Sequence, residues 1–286
     1  MIKQVGQIID PETDEFLKMW KTFVDPATRM WQDHRHGNFE IAMVLSGFGK
    51  YRTVAGLMPI EPGDVFVFPG NEPHWIQEIL QGGLQIINLH FNSRMFDARC
   101  SISKKYSNLF FSHSDSFGTR IPAKNAGSVR SLIEEIKCEL EDTRAEYECY
   151  VYGLLDLLFC ELIREHGYYL PKDGVHTAME RIRSSLHYID IHFAEEITLE
   201  EIAKQSGLSP HYFTRLFREC FRMKLWDYVL SRRIDAAKRL LTGENDLTVL
   251  QIALNCGFHN TANFNRAFLR FTGVTPREYR KGGTIH

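Results

Sequence analysis

The sequence has no C-x-x-C pair and only six cysteines in 286 residues: Cys100, Cys138, Cys149, Cys160, Cys220 and Cys256. Scattered this way, they match neither a disulfide framework nor a zinc spacing, and they read as reduced, mostly buried thiols of a cytoplasmic protein. Long apolar runs are missing too. The longest, such as Ile41–Leu45, hold about five residues, far short of the roughly 20 that span a bilayer. The first eleven residues contain one Lys and no apolar stretch, so no secretory signal is expected. Charge of one sign is also absent: 34 Lys and Arg face 36 Asp and Glu, a formal net charge of −2. Together with 44% hydrophobic residues, that balance excludes a disordered, collagen-like or disulfide-scaffold protein. The length suits two domains, each able to bury its own core.

The neutral total hides an asymmetry. From Thr177 onward there are 16 Lys and Arg against 12 Asp and Glu, and the preceding residues hold 18 against 24. A basic C-terminal third on an acidic body is compatible with nucleic-acid binding by that third. From about Trp31 to Phe91 the chain reads as short strands broken by Gly and Pro. Phe39–Leu45 is expected to end at Ser46-Gly47-Phe48-Gly49. Glu61-Pro62-Gly63-Asp64 and Pro69-Gly70-Asn71 are turn signals around Val65–Phe68, and Leu84–Phe91 is the last clear strand. Ser128 to His166 repeats apolar residues at helical spacing. Gly167 to about His176 reads as a linker. Everything beyond is helical, with Thr198-Leu-Glu-Glu201 and Thr248-Val-Leu-Gln251 as capping boxes and Ser209-Pro210 as a helix start.

The helical third repeats itself. Ile202-Ala203-Lys-Gln-Ser-Gly207-Leu208 matches Ile252-Ala253-Leu-Asn-Cys-Gly257-Phe258 at an offset of 50, and Phe213-Thr-Arg215-Leu-Phe217 matches Phe264-Asn-Arg266-Ala-Phe268 at an offset of 51. Each copy has the logic of a helix-turn-helix. A small residue lets two helices cross, a Gly four residues on takes the turn, and an apolar residue on the second helix locks the pair.

With these motifs, residues 180–282 resemble the AraC/XylS family of bacterial transcription regulators. The resemblance implies two units flanking a linking helix, about Leu225 to Leu241, with both second helices facing one side of double-stranded DNA. They would enter successive major grooves about 34 Å apart. It implies DNA contact by His211, Thr214, Arg215 and Arg218 in the first unit and by Thr261, Ala262, Asn265 and Arg266 in the second. Arg215 suits a bidentate contact to guanine, and Ala262 can meet only a thymine methyl. Lys204, Arg232, Arg233, Lys238 and Arg239 are expected to be phosphate neighbours or surface charges.

Upstream, His34-x-His36-x3-Glu40-x6-Gly47 and Gly63-Asp-Val-Phe-Val-Phe-Pro69 followed by His74 resemble the two motifs of the cupin barrel. Strand parity puts His34, His36 and Glu40 on one face, and an antiparallel neighbour brings His74 beside them. Three readings stay open. One is a metal-free pocket in which Trp31, His34, His36, Glu40, His74, Trp75 and His90 hold a small effector, a carbohydrate being the expected class. Another is a divalent-metal site on His34, His36, Glu40 and His74, serving a metal sensor or a cupin enzyme. The last is a purely structural barrel. No cofactor is expected in the first reading.

The fold expected is α+β. Residues 1–166 form a cupin-like barrel with a helical pair at 128–166, a linker covers 167–176, and residues 177–286 form an all-α domain with two helix-turn-helix units. The whole reads as a ligand-responsive regulator, an activator by family habit, and not an enzyme. A homodimer is implied through an apolar stripe such as Leu155–Leu158–Leu162, with RNA polymerase as a further partner and no membrane association.

Overall fold

A computed structural model of the chain describes residues 2–10, 15–26, 38–70, 72–91, 118–168, 173–221, 223–243 and 246–282. The chain divides into two compact units, Met1–Leu170 and Pro171–His286. No described helix is long and apolar enough to cross a membrane.

The first unit is built on one antiparallel sheet. Its described strands are β1 (Ile2–Asp10), β2 (Glu15–Val24), β3 (Phe39–Thr53), β4 (Gly56–Ile60), β5 (Val65–Phe68), β6 (Trp75–Phe91) and β7 (Arg120–Ile121). They run in the order β1-β2-β6-β3-β5-β7, with β4 on β3. One flank of β3 is shared: β5 pairs with its first half at Glu40–Met43 and β4 with its second half at Gly49–Thr53. β6 follows the other flank from Phe39 to Arg52, with register shifts between Val44 and Tyr51.

That irregularity corrects the expected strand end at Ser46–Gly49. The chain does not turn there; both long strands bend and continue. Gly47 and Gly83 carry φ of +93° and +85°, and a Cβ on Gly47 would lie 2.1 Å from the Gly83 carbonyl oxygen. Glycine is required on both sides of the bend: Gly47 meets the Gly83 backbone, and a Cβ on Gly83 would lie 2.6 Å from the Phe23 ring of β2. β1 and β2 lie outside the strands legible in the sequence, and β6 starts at Trp75 rather than Leu84.

Strand parity separates two interiors. Odd residues of β3, β5 and β6 (Phe39, Ile41, Met43, Val65, Val67, Ile87, Leu89, Phe91) join Leu17 and Met19 under two helices, α1 (Gly127–Asp142) and α2 (Tyr147–His166). Even residues (Ala42, Val44, Phe66, Phe68, Ile86) point the other way and meet Tyr51, Ile60 and Ile76 from beyond the bend. One face packs helices and the other encloses a second interior. Asp64, fully buried, accepts from Glu61 N, Arg120 Nε and Ala123 N and ties the sheet to the start of α1.

The helical pair corrects one expectation. Leu155, Leu158 and Leu162 are buried in the core against their own sheet, so this stripe is not available to a second copy. Tyr150 and Leu157 are the large apolar side chains exposed on α2. None of the described cysteines, Cys138, Cys149, Cys160, Cys220 and Cys256, is in a disulfide.

The second unit is helical: α3 (Asp173–His192), α4 (Leu199–Gln205), α5 (Pro210–Phe221), α6 (Leu225–Thr242), α7 (Val249–Asn255), α8 (Thr261–Thr272) and α9 (Pro276–Gly282). α3 starts inside the stretch read as a linker. Both capping boxes form: Thr198 and Thr248 accept from the backbone N–H of Glu201 and Gln251, whose side chains return to the cap N–H groups. A third, Thr275 with Glu278, starts α9.

Candidate nucleic-acid interface and effector site

The two halves of the repeat fold alike. Leu208 N donates to Ala203 O at 3.1 Å, and Phe258 N donates to Ala253 O at 2.9 Å. In each case the chain leaves the first helix through a glycine with positive φ, +63° at Gly207 and +80° at Gly257. Ala203 and Ala253 are fully buried at the crossings, and Phe213 and Phe264 are fully buried as the locks. α4–α5 and α7–α8 are therefore two copies of one helix-turn-helix.

Burial then decides which side chains can reach outward. On α5, Phe213, Leu216, Phe217, Cys220 and Phe221 are buried. His211, Thr214, Arg215 and Arg218 are exposed and, with Glu219, line one shallow surface depression. The Thr214 hydroxyl is already engaged, donating to Pro210 O at 2.9 Å. The Arg215 guanidinium lies 4.9 Å from the Tyr212 ring centroid and 3.8 Å from Glu219, with both members of that pair more than half exposed. Such a pair contributes at most about 1 kcal/mol, so Arg215 can be recruited by a stronger acceptor. On α8, Ala262, Asn265 and Arg266 are exposed and Thr261 is half-buried. Asn260 caps this helix by accepting from Asn263 N at 2.8 Å.

Two of the arginines expected as phosphate neighbours or surface charges are engaged within the helical unit. Arg232 on α6 is buried and forms a 2.8 Å ion pair with Asp190 on α3. Arg233 donates to three backbone carbonyls, Phe193 O at 2.6 Å, Gly257 O at 2.7 Å and Glu195 O at 3.0 Å. Lys238 lies 3.4 Å from Asp235 on its own helix.

In the sheet unit, the even-numbered face carries a buried polar cluster. The antiparallel register sets Glu40 opposite His90, one β3–β6 pair beside Ala42 and Asn88. The turn after β5 returns His74 to the same place. Glu40 Oε2 lies 3.1 Å from His74 Nε2 and 2.8 Å from His90 Nε2. With its amide turned so that its nitrogen donates to Glu40 Oε1 at 3.2 Å, Asn88 accepts from Trp20 Nε1 at 3.3 Å and from Thr22 Oγ1 at 3.0 Å. The Trp20 and His90 rings meet edge to face at 4.3 Å, and His74 stacks on Phe68 at 3.8 Å. Trp20, from a strand not legible in the sequence, is the indole of this cluster.

Trp75 is not part of it. Neighbouring strand residues point to opposite faces, and the Trp75 indole N–H donates to the exposed Gln77 side chain at 3.2 Å. Trp31, His34 and His36 lie outside the described residues.

The cluster's electrostatics follow from its partners. His74 Nδ1 faces Glu72 O at 2.9 Å while Nε2 faces the Glu40 carboxylate. Both neighbours only accept, so both ring nitrogens must donate, which favours the imidazolium. Burial pulls the His74 pKa down, but the Glu40 charge and hydrogen bond, with the Glu72 carbonyl and carboxylate, carry it above the usual histidine value. Burial, and then Glu40, push the Tyr51 phenol up. A divalent metal would have to sit between the imidazole nitrogens, and the Glu40 Oε2 oxygen, 3.1 Å from His74 Nε2 and 2.8 Å from His90 Nε2, occupies that point. Among the described residues no group of three or more His, Cys, Asp or Glu could hold a metal ion.

Two family models match the chain. An AraC-like ligand binding domain matches residues 24–155, and a helix-turn-helix domain matches residues 202–282. Over 101 residues the chain is 34% identical to regulatory protein PocR of Salmonella typhimurium, covering 35% of this chain and 33% of PocR. Over 172 residues it is 28% identical to the uncharacterized HTH-type transcriptional regulator YdiP of Escherichia coli, covering 56% of this chain and 54% of YdiP. The chain thus spans between a third and about half the length of these curated relatives. A crystal structure of unsaturated fatty acid bound ToxT from Vibrio cholerae has the same fold, with a TM-score of 0.61, 13% identity and 98% of each chain covered.

Proposed function

From the AraC-like ligand binding domain and the helix-turn-helix domain that its sequence matches, we propose that this chain is an AraC-type transcription regulator that binds double-stranded DNA sequence-specifically and answers to a small molecule held in its sheet unit. The observation that carries the DNA reading is the duplicated helix-turn-helix with identical buried locks and exposed second-helix faces that carry Arg215, Arg218 and Arg266. Arg215 and Arg266 occupy corresponding positions and supply the fork that grips guanine O6 and N7. His211, Thr214, Thr261, Ala262 and Asn265 tune the remaining positions, and Arg218 contacts phosphate or base. Equilibrium binding to a randomised duplex pool, followed by sequencing, tests this: enrichment of a two-part motif supports it, and salt-sensitive binding without enrichment refutes it.

For the effector we propose the buried cluster of Glu40, His74, Asn88, His90 and Trp20. A carboxylate, an amide, two imidazoles and an indole on an apolar floor of Ala42, Val44, Phe66, Phe68 and Ile86 suit a ligand with several hydroxyls and one apolar face. A carbohydrate meets that description. ToxT, whose crystal structure holds an unsaturated fatty acid, raises a fatty acid as the competing class, which would bring a second carboxylate near Glu40. Thermal melting of the full chain against mono- and oligosaccharides and against unsaturated fatty acids, with and without chelator, separates these. A sugar-specific rise that survives chelator supports the proposal. A rise with fatty acid alone replaces the ligand class, and a fall with chelator reopens a metal role. Activation, cytoplasmic location, a homodimer and contact with RNA polymerase belong to the same proposal, and sedimentation of the full chain tests the dimer.

A further inference from the structure

We infer that Arg233 is the positioning residue that fixes the separation of the two DNA-reading helices, acting through a joint it forms with Gly257 and the Phe193–Glu195 loop. This rests on the reading of α5 and α8 as DNA-reading helices. The first helix-turn-helix hangs on α3: Ser185 donates to Ile202 O and meets the Ser206 hydroxyl. α3 then ends in the 193–195 loop, and Phe193 packs into the core of the second helix-turn-helix. One short loop thus joins the support of the first helix-turn-helix to the core of the second.

Arg233 holds that loop against the second turn. Its Nε and Nη2 take the carbonyls of Phe193 and Glu195, and its Nη1 takes that of Gly257. Gly257 permits the approach: a Cβ there would sit 2.6 Å from Ala194 O. The equivalent Gly207 has an open surround, with nothing within 4 Å of a Cβ. The repeat is therefore asymmetric where it matters for geometry. One glycine serves its own turn, and the other also serves as a docking face. A planar guanidinium suits the task because it directs several N–H groups in fixed directions, which an ammonium cannot do.

The joint predicts a loss of spacing discrimination when it is loosened. Wild-type protein selects duplexes from a randomised pool, and the sequenced products give the distribution of distances between the two half-motifs. Wild type is expected to return one distance. Arg233→Ala and Gly257→Ala are expected to keep both half-motifs but spread them over two or more distances, with Arg233→Lys in between. Gly207→Ala is the matched control. It too strains a positive φ but meets no neighbouring helix-turn-helix, so it should return the single wild-type distance even if its melting temperature falls. A single distance retained in Arg233→Ala and Gly257→Ala, both folded by circular dichroism, overturns the inference. So does a spread in Gly207→Ala equal to theirs. Failure of wild type to enrich any two-part motif is a different result, and it strikes the DNA-binding reading itself.

Discussion

The two helix-turn-helix units share the residues at their helix crossings and locks and differ over most of their surfaces. Ala203 and Ala253, Phe213 and Phe264, and Phe217 and Phe268 are pairwise alike and all fully buried. Outside, His211 corresponds to Ala262, Thr214 to Asn265, Arg218 to Leu269 and Glu219 to Arg270; Glu200 and Lys204 on α4 correspond to Leu250 and Leu254 on α7. Packing constrains the inside because any change of volume in a close-packed core is felt. Nothing comparable constrains an exposed face except what it meets. The difference therefore separates fold from function: the shared buried residues say how each unit folds, the shared exposed pair Arg215 and Arg266 says what the two faces have in common, and the unshared ones say that the two units meet different surroundings. Arg270 illustrates this. It pairs with Asp227 on α6 at 2.8 Å, whereas its counterpart Glu219 lies along Arg215.

If the cores are equivalent, breaking either lock should have the same large effect. Phe213→Ala and Phe264→Ala are each expected to cost about 3–5 kcal/mol, measured by urea unfolding of the full chain. A much smaller loss in one copy would show that its lock can be refilled by neighbours. On the outward faces, Arg215→Ala and Arg266→Ala should each weaken specific DNA binding by roughly 1–3 kcal/mol and relax discrimination at one position. Uniform weakening on every sequence would demote that arginine to a phosphate contact. The caps sharpen the comparison at lower magnitude. Thr198→Ala and Thr248→Ala should each lower stability by about 0.5–2 kcal/mol, and equally so, since both accept from their N3 backbone N–H at 3.2 Å.

The last contrast is between the sheet and helical units. The raised His74 pKa means that the proton on its imidazole stabilises the folded sheet unit. That contribution is complete below the ordinary histidine value of about 6.5 and is lost as pH rises through the raised one. Calorimetric scans of the full chain between about pH 6 and pH 8 should show a transition that falls with pH, and His74→Gln should flatten it. The described histidines of the helical unit, His187, His192, His211 and His259, are not buried. A fall of the same size in the His74→Gln variant would reject the assignment.

Legibility differed between the units for physical reasons. Helix caps, glycine turns and a repeat are local features, so the whole course from Thr198 to Tyr279 can be followed residue by residue. The sheet was harder. In β2, Phe16, Leu17, Met19, Trp20, Phe23 and Val24 fit a helical period as well as a strand, and in β1 a register shift between Gln4 and Gly6 breaks the alternation. Neither strand is therefore legible in the sequence, and nor is the place of Trp20. The break expected at Ser46–Gly49 was a bend, because Gly signals a departure from regular backbone without saying whether the chain reverses.

By itself, the sequence determined the duplicated helix-turn-helix, its caps, the residues that lock it, and the presence of Glu40, His74 and His90 as candidates. These depend on neighbours within about five residues or on repetition. Only the tertiary structure decided that Glu40 sits between His74 and His90 while Trp75 turns away, because a strand's partner is set by register across the sheet. Tertiary packing also turned Arg232 and Arg233 inward, since α6 is enclosed on most sides and a charge on its surface meets carbonyls and Asp190 before it meets solvent. It likewise spent Leu155, Leu158 and Leu162 on their own sheet. An apolar stripe states that it will be covered; which surface covers it is a property of the folded whole.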